Sequence, residues 1–215
     1  MGGSTMYHFV ANGIYRFCEW VTRLAYLNLL WGLFTLCGLV VFGIGPSTVA
    51  MYSVSRQWLL GNTDIRIFSS FFAAFKQEFR KANLLGFILL GLAAIFYVDF
   101  KIIESMNEET SVMAIILLSL LLVFTVLLLF VFPVYVHYDI PLVSTFKYAF
   151  LIGFSKPFHT LGLVAGGIGA IFVSLLHVTV IIFFSGSLFA VITTAFALKA
   201  FQSISSQTGN QEARQ

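Results

Sequence analysis

Charge is what this sequence has least of. Asp, Glu, Lys and Arg make up 10% of it, against roughly 25% in a typical soluble domain. That excludes a water-exposed globular surface. No charge of either sign interrupts the intervals 24–55, 82–98, 110–138 and 157–198. A carrier that needs a carboxylate at membrane depth for ion or proton coupling is therefore disfavoured. Cysteine is almost missing too. Cys18 and Cys37 fall on what reads as one helix, about 28 Å apart and beyond disulfide reach.

Catalytic signatures are equally absent. The chain has no P-loop, HExxH, GxSxG or CxxC pattern, and its longest polar stretch, 61–81, is too small for an enzyme domain. His137, Asp139 and His159 lack the paired spacing that metal ligands show. No catalytic residue, cofactor or metal is expected. A net charge of +3 is too small to expect nucleic acid as a partner. The N-terminus has no signal-peptide pattern, because its first apolar run is much longer than an h-region.

Apolar residues fill the space that charge leaves. They account for 59% of the chain, and mean hydropathy is +0.95. One helix needs about 20 residues to cross about 30 Å of hydrocarbon. The intervals 82–98 and 110–138 each hold one crossing. The interval 157–198 holds two, with the natural break at Phe184-Ser185-Gly186-Ser187. The interval 24–55 holds a full span followed by a corner at Gly45 and Pro46, with Pro set to start a new helix. The segment after the corner, 46–60, either crosses as a short span or dips in as a re-entrant hairpin.

Loop charges choose between these, because basic residues mark the cytoplasmic side of short loops. If 46–60 crosses, 11 of the 12 Lys and Arg residues are cytoplasmic, and only Lys101 lies outside. If it does not cross, Arg16 and Arg23 join Lys101 outside. The first arrangement is the better one, and it puts both termini in the cytoplasm.

The expected fold is therefore an all-α integral membrane protein, a six-helix transmembrane bundle. Its single transmembrane domain is 15–203, between an N-terminal tail 1–14 and a C-terminal tail 204–215. Spans are expected at about 24–44, 46–60, 82–98, 112–138, 158–182 and 186–203. Two amphipathic interfacial helices are expected on the cytoplasmic side, at about 66–81 and 141–156. They form a parallel internal repeat at an offset of 75, in which SSFFAAFKQEFRK (69–81) aligns with STFKYAFLIGFSK (144–156). The repeated rings and cations are Phe71, Phe75, Phe79 and Lys81 in one copy, and Phe146, Phe150, Phe154 and Lys156 in the other. Rings at i, i+4 and i+8 predict a helix lying in the headgroup layer, rings toward lipid and cations toward water.

Three further groups stand out. Arg56 is expensive at membrane depth, and a tight hairpin would bring it toward Asn28 and Thr35 as a polar intramembrane cluster. Gly162, Gly166, Ala170 and Ser174 recur every four residues, which lets helix backbones pack closely. His177 falls beside Ser174 and Thr179, where an inter-helix hydrogen bond is expected.

The run Gly45-Pro46-Ser47-Thr48-Val49-Ala50, then Val54, Arg56, Trp58 and Gly61, then Phe71, Phe75 and Lys76, resembles the YesL family of bacterial membrane proteins. The resemblance extends from about Tyr15 to Phe201. It implies a multi-pass protein of the bacterial cell membrane, often encoded near ABC transporters for carbohydrate uptake, and it brings no functional residues with it. The expectation is a non-enzymatic accessory or assembly component of a membrane transport system. Its partners would be the lipid bilayer and other membrane subunits such as an ABC transporter. A small-solute permease and a membrane sensor are the alternatives. The sequence fixes no oligomeric state.

Overall fold

The computed structural model describes residues 3–105, 111–175 and 177–212, and among these residues it is entirely helical. The helices are α1 (Gly3–Cys37), α2 (Ile44–Leu59), α3 (Ile67–Ser105), α4 (Ser111–His137), α5 (Leu142–Ser155), α6 (Pro157–Leu175) and α7 (Val178–Glu212). Three of them, α3, α4 and α7, are long and apolar enough to cross a membrane, and the bent pair α5–α6 makes a fourth if taken as one span. Neither α1 nor α2 is in that set. At 16 residues, α2 is about 24 Å long.

Two cores organise the bundle. One surrounds α4, where Phe130, Val131 and Val134 are fully buried against Leu85 of α3, Ala149 of α5, Leu163 of α6 and Ala197 of α7. The other surrounds α2, whose Ala50, Met51, Tyr52, Val54 and Trp58 pack with Leu27 and Leu30 of α1, Phe71 of α3 and Ala190 of α7. By contrast, Leu84, Leu90, Ile95, Val98, Val112, Ile115, Leu118 and Leu122 stand exposed along α3 and α4. An apolar surface that continuous belongs in lipid.

Four expectations need correction. The expected corner at Gly45 and Pro46 lies within the first turn of α2, where proline's missing N–H has no helical partner to lose. The chain reverses earlier, through 38–43, with Leu39 and Val40 in the left-handed region at φ 53° and 64°. Gly45 has another purpose. A Cβ there would stand 2.7 Å from the Ala82 carbonyl oxygen, so its hydrogen side lets α2 lie directly on α3.

The interfacial helix expected at 66–81 is not separate from the span after it, since α3 runs unbroken through both. In the second copy the elbow is real: α5 and α6 meet at 102°. The offset of 75 explains the difference, because it aligns Ala82 with Pro157. Proline excludes its predecessor from helical geometry, and Lys156 sits at φ −128°, ψ 67°. Thr160 Oγ1 spans the bend and donates to the Gly153 carbonyl at 2.6 Å.

The repeated rings do not form one lipid-facing row. Phe71 is fully buried, and Phe34 of α1 lies against it and Phe75 at centroid distances of 5.2 and 5.0 Å. Phe79 is exposed. In the second copy Phe146 packs against the α4 core, while Phe150 and Phe154 are exposed.

The break expected at 184–187 is helical, and α6 ends at Leu175 instead. Ser185 Oγ bonds the Ile181 carbonyl and Ser187 Oγ the Phe184 carbonyl, which absorbs the hydroxyls that made this stretch read as a loop.

Candidate functional site: a polar cleft at one end of the bundle

A polar cleft lies where α2, the charged half of α3 and the end of α4 converge. It encloses about 900 Å³. Val49, Ser53 and Arg56 come from α2, and Ala74, Gln77, Glu78 and Lys81 from α3. Tyr135 to His137 close α4, and 138–143 lead into α5. Each wall follows from local sequence. Val49, Ser53 and Arg56 of α2 recur at i, i+4 and i+7, so they share one face of that helix. The polar residues 76–81 face outward because Phe71 and Phe75 take the inward positions. The apolar run of α4 ends in Tyr135-Val136-His137-Tyr138-Asp139, where the chain must turn.

Two hydrogen bonds tie the walls together. Arg56 donates from Nε to Nδ1 of His137 at 3.2 Å, and Tyr135 donates its hydroxyl to Glu78 Oε2 at 2.5 Å. The first bond fixes the His137 tautomer, since Nδ1 accepts and must be unprotonated. His137 also lies against Tyr138, edge-on, and Phe201, tilted, both at 4.7 Å between ring centroids. Outside the α4 segment, burial pushes the Tyr138 phenol up, and Tyr148 adds to the shift. The lining thus mixes two cations, Arg56 and Lys81, two carboxylates, Glu78 and Asp139, and aromatic hydroxyls. Such a surface binds polar or mixed-charge groups by hydrogen bonds rather than by net charge.

Asn28, Thr35 and Arg56 do not form one cluster. Asn28 is buried against α7, where Nδ2 donates to the Ile182 carbonyl at 2.7 Å and Oδ1 accepts from the Ser187 backbone N–H at 3.0 Å. Gly186 makes the approach feasible, because a Cβ on it would stand 2.9 Å from Asn28 Oδ1. Thr35 sits at the α1–α2 corner, its buried hydroxyl without a hydrogen bond among the described residues, as is that of Ser47. Arg56 belongs to the cleft.

The small residues of α6 face α7. A Cβ on Gly162 or Gly166 would meet the Phe196 ring, and at Gly166 also Ile192. Ala170 is buried, and the Ser174 side chain lies outside the described residues. His177 joins Thr179 Oγ1 at 3.2 Å within the α6–α7 junction, so it links no two helices at depth. Lys81 is exposed at the cleft rim. The Glu78–Tyr135 contact escaped sequence reasoning, because a bond across 57 residues leaves no local pattern.

Residues 24–100 match the family described as "Protein of unknown function, DUF624". The chain is 44% identical to YesL of Bacillus subtilis (strain 168) over 97% of its own length and 99% of that protein's. It is 37% identical to YesV of the same organism, over 92% and 96% of the two chains. YteU, also from that organism, is 35% identical over 80% and 78%. No solved structure matches. The matched 24–100 segment covers α2 and nearly all of α3, and so contributes two of the cleft's three helical walls. With relatives aligned from end to end, the chain belongs to the YesL family of DUF624 proteins.

Proposed function

We propose that this protein is a non-enzymatic accessory or assembly component of a membrane transport system for carbohydrates, held in the bacterial cell membrane with both termini in the cytoplasm. The observation that carries the reading is the cleft between α2, α3 and α4. Its charges of both signs, with Tyr135 and Tyr138 among them, resemble the polar and aromatic surface on which protein partners dock. It ends beside Phe201 of α7, two residues after Lys199, and cations collect on the cytoplasmic side. Carbohydrate as the cargo class rests on the family resemblance. In this topology the crossings come from α3, α4, α6 and α7, and the α1–α2 hairpin packs beside the charged half of α3, with Gly45 seated on Ala82 and α2 lying against Phe71. Detergent pull-down from native membranes tests the proposal. A stoichiometric membrane partner is expected, and its loss on Lys81→Glu would assign the contact to the cleft. Recovery of the chain alone would overturn it.

A second reading, a small-solute permease, draws on the cleft's size, which falls within the roughly 300–1,000 Å³ of small-molecule sites. It requires Arg56→Ala to abolish uptake at unchanged membrane abundance. Unaltered uptake of candidate sugars in a deletion strain would remove it.

A further inference from the structure

Along α3, Lys76, Arg80, Leu84 and Phe87 follow one another at i, i+4, i+8 and i+11, so they share one face of the helix. All four are exposed. The two cations make no ion pair among the described residues. The nearest acid in sequence, Glu78, is turned to the opposite side by its bond from Tyr135. A groove lined by Phe72, Phe75, Phe79 and the two cations lies here, and it shares Gln77 and Lys81 with the cleft. The charge-free run of α3 begins at Ala82, less than two turns after Lys76. The same stripe thus passes from cationic to apolar where a helix entering a bilayer passes from headgroups to acyl chains.

We propose that this stripe is a binding site for one anionic phospholipid. Its phosphate lies between Lys76 and Arg80, and an acyl chain runs along Leu84 and Phe87. Charge complementarity selects the occupant. A zwitterionic headgroup brings its own cation to a face that already has two, whereas an anionic headgroup brings none. The apolar continuation favours a lipid over free phosphate, which has nothing to place against Leu84 and Phe87. The site rests on α3 being a membrane span and is independent of the accessory role proposed above. Failure to find a protein partner would leave it standing.

Native mass spectrometry of the full chain in detergent tests the site, with phosphatidylglycerol and phosphatidylcholine of identical acyl chains as probes. The wild type should retain phosphatidylglycerol at least about fivefold more than phosphatidylcholine, the effect of roughly one basic residue in an anionic headgroup layer. Lys76→Gln with Arg80→Gln should remove that preference without changing phosphatidylcholine retention. Lys101→Gln, at the other end of α3, should preserve it. Circular dichroism shows whether the double variant is folded; if it is not, Arg80→Lys and Lys76→Arg should each keep the preference. Equal retention of both lipids by the wild type overturns the proposal, as does an undiminished preference in the folded double variant. No lipid preference together with protection of Lys76 from an amine reagent in native membranes would assign the face to a protein and also overturn it.

Discussion

Arg56 and His137 are 81 positions apart in sequence, yet the guanidinium of one is hydrogen-bonded to the ring of the other where α2 meets the end of α4. Each side chain holds the other in the cleft wall. A hydrogen bond from a charged donor contributes about 1.5–3 kcal/mol. Arg56→Ala and His137→Ala should each lower the thermal midpoint in detergent, and the double variant should fall short of their sum by about 0.5–3 kcal/mol. Strict additivity in a double-mutant cycle would show that the pair does not couple.

Asn28 bridges α1 to the backbone of α7 through both ends of its amide. Asn28→Asp removes the donor to the Ile182 carbonyl and sets a carboxylate oxygen against that carbonyl. The expected loss is about 1–3 kcal/mol, the penalty of a buried polar group left unsatisfied. Asn28→Leu should lose less, because it leaves no charge behind. Chemical or thermal unfolding in detergent separates the two. A tolerated Asp would mean that the α1–α7 contact does not depend on this amide.

Gly45 and Gly91 are both helical glycines, in opposite surroundings. Gly45→Ala would press its methyl against the backbone of Ala82, while nothing lies within 4 Å of a Cβ at Gly91. Gly45→Ala should destabilise by about 1–3 kcal/mol, as overpacking does, whereas Gly91→Ala should be neutral or gain up to about 1 kcal/mol of helix propensity. Equal midpoints for the two variants would contradict the close seating of α2 on α3.

The proposed topology is tested by a single cysteine at Thr63, between α2 and α3, in a background lacking Cys18 and Cys37. A membrane-impermeant maleimide should label it only after cells are permeabilised. Labelling in intact cells would reverse the orientation and carry the cleft to the outer face.

The all-helical, lipid-facing character of the chain was legible in composition, because exposure to water needs charge that this sequence lacks. Helix ends were harder. Ser185-Gly186-Ser187 reads as a loop until Asn28 is seen to require the glycine, and that requirement comes from a residue more than 150 positions away. The two repeat copies read alike because their shared rings and lysines dominate the alignment. One unshared position, Ala82 against Pro157, decides that one copy is straight and the other bent. Arg56 stood out as a costly charge, but its partner could not be found by spacing, since tertiary hydrogen bonds have no period.

The unbroken course of α3 has a mechanical consequence. With 39 residues, it is a rod of about 58 Å, with no proline to act as a joint. Its first turns are clamped under Phe34 and α2, so a ligand or partner that pries the polar recess open has no hinge in α3 at which the movement can stop. The displacement is carried along the rod to its contact with α4, where Phe96 meets Phe124 at 5.0 Å between ring centroids.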